Sequence, residues 1–303
     1  MEPWQLNKDE QSNLEVLNGK LQHVRDTVRG VVKQYHSGLM LQGEGGTSKS
    51  YTVLDELRQL KCGYIYHNSR ITARGLVDAL ERNPTSIHLI EDAETLLDDK
   101  KSFGVLRSAL WSQSNKRPIE RQVTWSAFKT EIRFTFTGGL IVISNVALAD
   151  TIPELRAIKT RITVLNIDVS NAEILALMKQ ICAAGYQFGQ DYLSPAECWE
   201  VCSFIVEKLT ALKRNLDIRL LTNGFRDYLQ FKSGDSQNHW KVLLEGRMSE
   251  RVAYKTRAEV KTEESRIAME IYKMKITNPE KLKLWKERTG LSHMAYYRAL
   301  KRK

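Results

Sequence analysis

The chain has no long hydrophobic run. Its longest unbroken apolar stretches, such as Leu140 to Ile143, fall far short of the roughly 20 residues that a membrane span needs. No membrane partner is therefore expected. Cysteine is scarce: Cys62, Cys182, Cys198 and Cys202 are the only four, and none makes a CxxC pair. Cys198 and Cys202 sit four apart inside a helical, aromatic pattern. A disulfide scaffold and a zinc site are both disfavoured, and free thiols in a reducing cytoplasm, bacterial or host-cell, are expected. The opening Met-Glu-Pro-Trp-Gln is neither basic nor apolar, so no secretory signal is expected. Internal repeats and low-complexity segments are missing too.

Acid is short in one place only. The 303 residues carry 46 Lys/Arg and 36 Asp/Glu, a net charge of +10. Residues 1–240 hold 29 basic and 28 acidic side chains, and residues 241–303 hold 17 and 8. A nearly neutral body thus carries a strongly basic tail. Such a tail suits a polyanion, and nucleic acid is the usual one. The bland alternative is a solvated, lysine-rich helix. With 42% hydrophobic and 27% charged residues, the chain has the balance of a globular protein of one large domain or two ordinary ones.

Periodicity organises the body. Leu14, Val16, Leu17, Leu21, Val24, Val28, Val31 and Val32 recur at spacings of three and four and predict a helix over residues 9–35. Short apolar runs predict strands at Gly38–Gln42, Tyr64–Tyr66, Ile87–Ile90, Leu140–Ser144 and Ile162–Ile167, with helices over 51–60, 71–82 and 103–113 between them. Residues 119–137 alternate with β-type side chains and suggest a hairpin. Strands alternating with helices up to about residue 170 predict a parallel α/β sheet. Everything after that reads helical, with helices over 171–184 (Ser170 as N-cap), 195–213 and 217–231. A polar break at residues 233–238 precedes a charged helical tail. The expected domains are residues 1–170, 171–235 and 236–303.

Gly43-Glu44-Gly45-Gly46-Thr47-Ser48-Lys49-Ser50 follows the first strand and opens a helix at Tyr51. The spacing GxxxxGK[ST] is met at Gly43, Lys49 and Ser50, with Ser48 where glycine is usual. Glycines let backbone N–H groups turn inward around a polyphosphate, and the helix N-terminus adds a favourable dipole. Lys49 would neutralise the β- and γ-phosphates of ATP, and Ser50 would ligate Mg²⁺. If position 48 needs φ > 0, serine there costs energy that glycine avoids.

His88-Leu89-Ile90-Glu91-Asp92 ends an apolar strand in two carboxylates. Such a pair suits metal binding and polarisation of an attacking water. The aspartate usually comes first in such a pair, and here the order is reversed. Glu91 is assigned to the metal, through water, and Asp92 to polarising the nucleophile, with exchanged roles as the alternative and Glu94 as a weaker candidate. The bland alternative is a solvated strand end or a helix N-cap at Asp92.

The order of phosphate loop, acidic strand end, Leu140-Ile141-Val142-Ile143-Ser144-Asn145, Thr160-Arg161-Ile162 and Asp217-Ile218-Arg219-Leu220 resembles the AAA+ ATPases, most closely the short ones of bacteriophages and plasmids. The resemblance runs from Gly43 to about Arg219. It implies an AAA+ P-loop fold with a helical lid. It also implies that Asn145 is sensor 1, that Arg161 is an arginine finger acting in trans on a neighbouring subunit's ATP (Arg156 is the second choice), and that Arg219 is sensor 2. The bland readings are a turn residue for Asn145 and surface ion pairs for the two arginines. A homo-oligomeric ring or filament follows.

Trp111, Asn115, Lys116, Arg117, Arg121, Trp125, Lys129 and Arg133 give the hairpin region a basic, aromatic character. Either it faces a ring channel and touches nucleic acid, or its aromatic residues pack on the core. In the tail, residues 279–300 read as helix, Thr289-Gly290-Leu291 turn, helix, with Ser292 as N-cap. Leu282, Trp285, Leu291, Ala295 and Leu300 would form an apolar seam, and His293, Tyr296, Tyr297, Arg298 and Lys301 would be exposed. The pattern resembles a DNA-binding helix-turn-helix, with protein docking as the alternative. Residues 246–276 would be a connecting helix. The expected function is an ATP-hydrolysing oligomer acting on single- or double-stranded DNA as a replication helicase, initiator or loader of a phage or other mobile element. The alternatives are an ATP-gated DNA-binding scaffold, like transposition regulators, and a regulatory protein whose tail docks a partner.

Overall fold

The computed structural model describes residues 2–68, 71–93, 96, 99–112, 116–127, 130–145, 153–249, 257–289 and 291–301. Helix α1 (Lys8–Val32) starts at Asn7, whose side chain accepts the Glu10 N–H while the Glu10 carboxylate accepts the Asn7 N–H. This reciprocal pair satisfies two donors that a helix start leaves open. Leu14, Leu17, Leu21, Val24, Val28 and Val31 of the face read from the sequence are buried, whereas Val16 is exposed and Val32 is half-buried.

The sheet has five parallel strands: β1 (Gly38–Gln42), β2 (Tyr64–His67), β3 (Ile87–Ile90), β6 (Gly139–Ser144) and β7 (Thr163–Asn166), in spatial order β2-β3-β6-β1-β7. Helices α2 (Lys49–Gln59), α3 (Ala73–Arg82), α4 (Lys100–Leu110) and α5 (Pro153–Lys159) connect them. β1, β3 and β6 are buried along their whole length, as continuous apolar runs covered on both faces require. Leu39 and Leu41 point to one layer, with Val24, Val28, Val53 and Leu57. Met40 points to the other, with Leu76, Leu80, Phe103 and Phe136. This alternation is the period of two that a strand imposes. β6 is inserted between the loop strand β1 and the acidic strand β3. The parallel α/β sheet expected from the sequence is thus the one observed, with helices on both faces and a largely helical region after it.

The antiparallel hairpin β4 (Arg121–Ala127) and β5 (Thr130–Phe136) lies outside this sheet. Val123, Ile132 and Phe136 are buried in the core, and Trp125 and Phe134 pack against it. The outer face carries Gln122, Thr124, Glu131 and Arg133, all exposed. The aromatic residues of the hairpin therefore serve the core.

After the sheet come α6 (Asn171–Ala184), α7 (Pro195–Ala211), α8 (Ile218–Lys232) and α9 (Trp240–Ser249). Ser170 and Ser194 each form a capping box, with Glu173 and Glu197. The region is not wholly helical, contrary to the reading from the sequence. A small hairpin, β8 (Tyr186–Phe188) and β9 (Asp191–Leu193), separates α6 from α7. Gly185 (φ 73°) ends α6 and Gly189 (φ 61°) makes the turn. Strands of three residues are too short to print a period of two in the sequence.

Residues through Leu244 form one compact unit, and Glu245–Lys303 form a second. In the second unit, α10 (Arg257–Lys273), α11 (Asn278–Thr289) and α12 (His293–Lys301) share one core of Ala268, Ile271, Trp285, Tyr296 and Ala299. The α10 segment is therefore part of the fold and more than a connector. Leu282, Leu291, Ala295 and Leu300 join the seam as expected. Tyr296, expected on the surface, is only 2% exposed. Its position one residue after Ala295 turns it onto Trp285, with ring centroids 5.5 Å apart. His293, Tyr297, Arg298 and Lys301 are exposed. Trp285 Nε1 donates to the Ser292 carbonyl at 3.2 Å and so ties the turn to the core.

Candidate functional site

β1 ends at Gln42, and the chain turns at once around Gly43 (φ 147°). A Cβ here would lie 2.3 Å from the Ile167 carbonyl oxygen, so only glycine lets the loop leave β1 beside the end of β7. Gly46 is left-handed as well, at φ 75°, and Ser48 follows at φ 67°. Ser48 is the N-cap of α2, yet its side chain makes no capping hydrogen bond. The non-glycine residue thus occupies a backbone region that costs it about 1–2 kcal/mol.

Lys49 is buried, at 4% exposure. Its ammonium donates to the Gly43 carbonyl at 2.8 Å, to the Glu44 carbonyl, and weakly to Thr47 Oγ1. Thr47 Oγ1 in turn donates to the Glu44 carbonyl at 3.0 Å. The loop therefore folds around its own lysine, whose charge sits at the centre of a ring of backbone groups. Ser50 is half-buried on the first turn of α2, and Tyr51 beside it is exposed. Gly45 and Glu44 are exposed at the mouth of the loop.

The acidic pair lies at the same end of the sheet. Glu91 leaves β3 with its N–H bonded to the His67 carbonyl at 2.8 Å. Its Oε2 accepts a hydrogen bond from Tyr66 Oη on β2, and its buried Oε1 has no partner among the described residues. Burial, followed by the adjacent Glu91 carboxylate, pushes the Tyr66 hydroxyl up to about 12. It therefore stays protonated and remains a donor at neutral pH. Asp92 is left-handed, at φ 50°, a strained conformation for a residue with a side chain. Asn145, at the end of β6, donates from Nδ2 to Asp92 Oδ1 at 3.2 Å.

Arg219 arrives from α8. A Cβ built on Gly45 would lie 3.9 Å from Arg219 Nη1 and 3.9 Å from Asn145 Oδ1. The loop, the acidic strand end, the β6 amide and the α8 guanidinium thus converge, although the sequence separates them by up to 176 positions. The reason is topological. β6 lies between β1 and β3, so its C-terminal residue falls between the loop and the two acids.

Arg161 is not part of this cluster. Thr163 pairs with Leu39, and the Arg161 carbonyl faces Ser37 Oγ at 3.4 Å. Six strand residues separate that level from Gly43, a distance of about 20 Å at 3.3 Å per residue. Arg161 donates to the Ala157 carbonyl and lies over the Trp111 ring at 5.8 Å. With Arg107, Ser108, Trp111 and Gln122 it lines a cleft of about 520 Å³. Arg156 is exposed on α5. Glu94, Asn115 and Lys129 lie outside the described residues.

The residues fit a magnesium-bound polyphosphate. Magnesium is commonly held by one or two carboxylates plus substrate phosphates rather than by a protein cage. Among the described residues, no group of three or more His, Cys, Asp or Glu side chains could hold a metal. The buried Glu91 Oε1, without a partner among the described residues, and the Ser50 hydroxyl on the first turn of α2 are acceptors of the type such an ion or its water takes. Two features went unread in the sequence. Tyr66 looks like one more apolar residue of a short strand, and the bonding role of Asn215 and Asp217 toward the loop leaves no mark in the sequence.

No family model matches the chain, and no curated protein does. Among solved structures, it is similar to the Thermotoga maritima RuvB Holliday junction branch migration motor at 11% identity and a TM-score of 0.35, over 96% of this chain and 87% of that one. Among the described residues, no helix is long and apolar enough to cross a membrane.

Proposed function

We propose that the chain is an ATP-binding and ATP-hydrolysing AAA+ oligomer that acts on DNA, as a replication helicase, initiator or loader of a phage or other mobile element. One observation carries the reading: Gly45 of the phosphate loop lies beside both Arg219 and Asn145, and Asn145 is bonded to Asp92. Residues 1–170 serve as the nucleotide-binding part, 171–235 as the lid and 236–303 as the DNA-binding tail.

In this reading, Gly43 to Ser50 wrap the phosphates with backbone N–H groups, and Tyr51 borders the nucleotide. Lys49 exchanges its loop carbonyls for β- and γ-phosphate oxygens. Ser50 and Glu91 would hold Mg²⁺, which when bound would supply positive charge against that developing on the phosphates. Asp92 orients the attacking water and accepts its proton. Asn145 holds that carboxylate in place, and Arg219 stabilises the γ-phosphate. Arg161 sits too far from its own loop to assist there. It can contribute only in trans, to the ATP of a neighbouring subunit in a ring or filament.

The exposed basic and aromatic side chains of α12 supply the DNA contacts, with His293, Tyr297, Arg298 and Lys301 directed to solvent. A second reading is favoured by Tyr66 holding Glu91 and by Ser48 at a glycine conformation. It is an ATP-gated DNA scaffold with little hydrolysis. Phosphate release with and without single- and double-stranded DNA separates the two. The first reading expects DNA-stimulated turnover that Lys49→Ala and Asp92→Asn abolish. Absence of turnover in the unaltered protein, with ATP-dependent DNA binding intact, sinks it in favour of the scaffold.

A further inference from the structure

The loop between α7 and α8 is bonded to the phosphate loop at several points. Asn215 Nδ2 donates to Glu44 Oε2 at 2.9 Å. The Ile218 N–H points at the Gly46 carbonyl at 3.3 Å. The Asp217 carboxylate packs on Gly46 so closely that a Cβ there would lie 2.2 Å from Oδ1. The same Oδ1 accepts the Arg219 N–H at 2.6 Å and so caps α8. From the other side, Asn171 at the start of α6 accepts the Leu216 N–H at 2.8 Å and donates to Asn215 Oδ1 at 3.3 Å.

These contacts have one geometric effect. They fix the first turn of α8 on the phosphate loop, and with it the base of the Arg219 side chain. A guanidinium on a long, rotamer-rich side chain is useful only if its root is held. Gly46 is needed for the same reason. Its lack of a side chain provides the space that the Asp217 carboxylate occupies.

We propose that Asp217 and Asn215 are positioning residues that aim Arg219 at the γ-phosphate, and that they thereby set how well the site tells ATP from ADP. The proposal rests on the nucleotide-site reading above. The strap couples lid to loop: a nucleotide that shifts Glu44 or Gly46 shifts Arg219 with them. Asp217 touches no phosphate, and its acceptor oxygen works through the helix cap and the packing on Gly46.

The test is equilibrium binding of fluorescent ATP and ADP analogues to the full-length protein, read as the ratio of the two affinities. Removing one charge-assisted contact to the γ-phosphate is expected to cut the preference for ATP about tenfold, so Arg219→Ala sets the reference. Asp217→Ala is expected to cut it comparably, and the double variant to cut it no further, because both act through one group. Asp217→Asn, which keeps the acceptor, is expected to restore the preference. A wild-type ratio in Asp217→Ala, or losses that multiply in the double variant, overturns the proposal. Should Asp217→Ala fail to fold, Asn215→Ala decides, because it leaves the α8 cap intact. A reduced preference supports the proposal and an unchanged one overturns it. Absence of any ATP binding by the unaltered protein instead removes the nucleotide-site reading on which the proposal stands.

Discussion

At Ser48 a single backbone angle carries the question that the sequence raised. The residue before Lys49 is left-handed, at φ 67°, and its hydroxyl caps nothing. Glycine would lose no hydrogen bond and would escape the steric cost. Ser48→Gly is expected to stabilise the folded chain by about 1 kcal/mol, less the extra freedom glycine has when unfolded. A rise in the urea midpoint checks this; a fall would mean that the serine side chain has a role the loop geometry hides. Tyr66 makes the second residue-scale point. Its hydroxyl, kept protonated by a pKa of about 12, holds one oxygen of Glu91. Tyr66→Phe leaves the ring and removes the donor. Basal phosphate release is expected to rise severalfold if Glu91 is restrained there, at the cost of about one hydrogen bond. An unchanged rate would show that the contact is structural only.

Among elements, the β4–β5 hairpin changed most between sequence and structure. Arg121 reads as a surface cation beside aromatic residues. Instead it is 2% exposed, donates to the Phe136 and Gly138 carbonyls, and lies 4.8 Å over the Phe136 ring. Burial pulls its guanidinium down to about 10, which still leaves it charged at neutral pH. Arg121→Ala would strand those carbonyls and empty a packed site. It is expected to cost about 3 kcal/mol of stability in urea unfolding and to leave DNA affinity untouched. Alternation in the sequence identified the hairpin and its period, but not which face the core would claim. The β2–β3 pair offers a pH test. His67 and His88 stack with centroids 5.5 Å apart, His67 Nε2 faces His88 Nδ1 at 3.2 Å, and His88 Nε2 faces the Asn83 carbonyl at 3.0 Å. A proton added to His88 Nδ1 would oppose the His67 N–H, and burial lowers the pKa of both rings. The folded state then binds fewer protons than the unfolded one just below the ordinary histidine value. This stability is therefore full above about pH 6.5 and declines as the pH falls below it. The urea midpoint is expected to drop between pH 7.5 and 5.5, a window above most carboxylates. A flat profile would contradict the assignment.

For the whole molecule, the charge has an address and now a fold. Residues 241–303 hold 17 of the 46 basic side chains and 8 of the 36 acidic ones, and three of their helices close around Trp285 and Tyr296. Trp285→Ala should remove about 3–5 kcal/mol, which exceeds what so small a core can spare. The expected outcome is loss of the α10–α12 transition in thermal unfolding. DNA affinity and its steep salt dependence should fall with it, while ATP binding by the first unit persists. DNA binding with an unchanged salt slope in that variant would place the polyanion elsewhere.

The sequence alone determined whatever is local or periodic. A run of eight residues makes the glycine-rich loop that opens α2, spacings of three and four make the amphipathic helices, and the charge count separates body from tail. Only the tertiary structure decided what comes together across the chain. It brought Asn145 and Arg219 to Gly45, set Arg161 at the opposite end of the sheet, joined Tyr66 to Glu91 and turned Arg121 and Tyr296 inward. The physical reason is that strand order and packing set these contacts. Inserting β6 between β1 and β3 is a choice made by burial of whole faces, and no short window of sequence records which neighbours a face will meet.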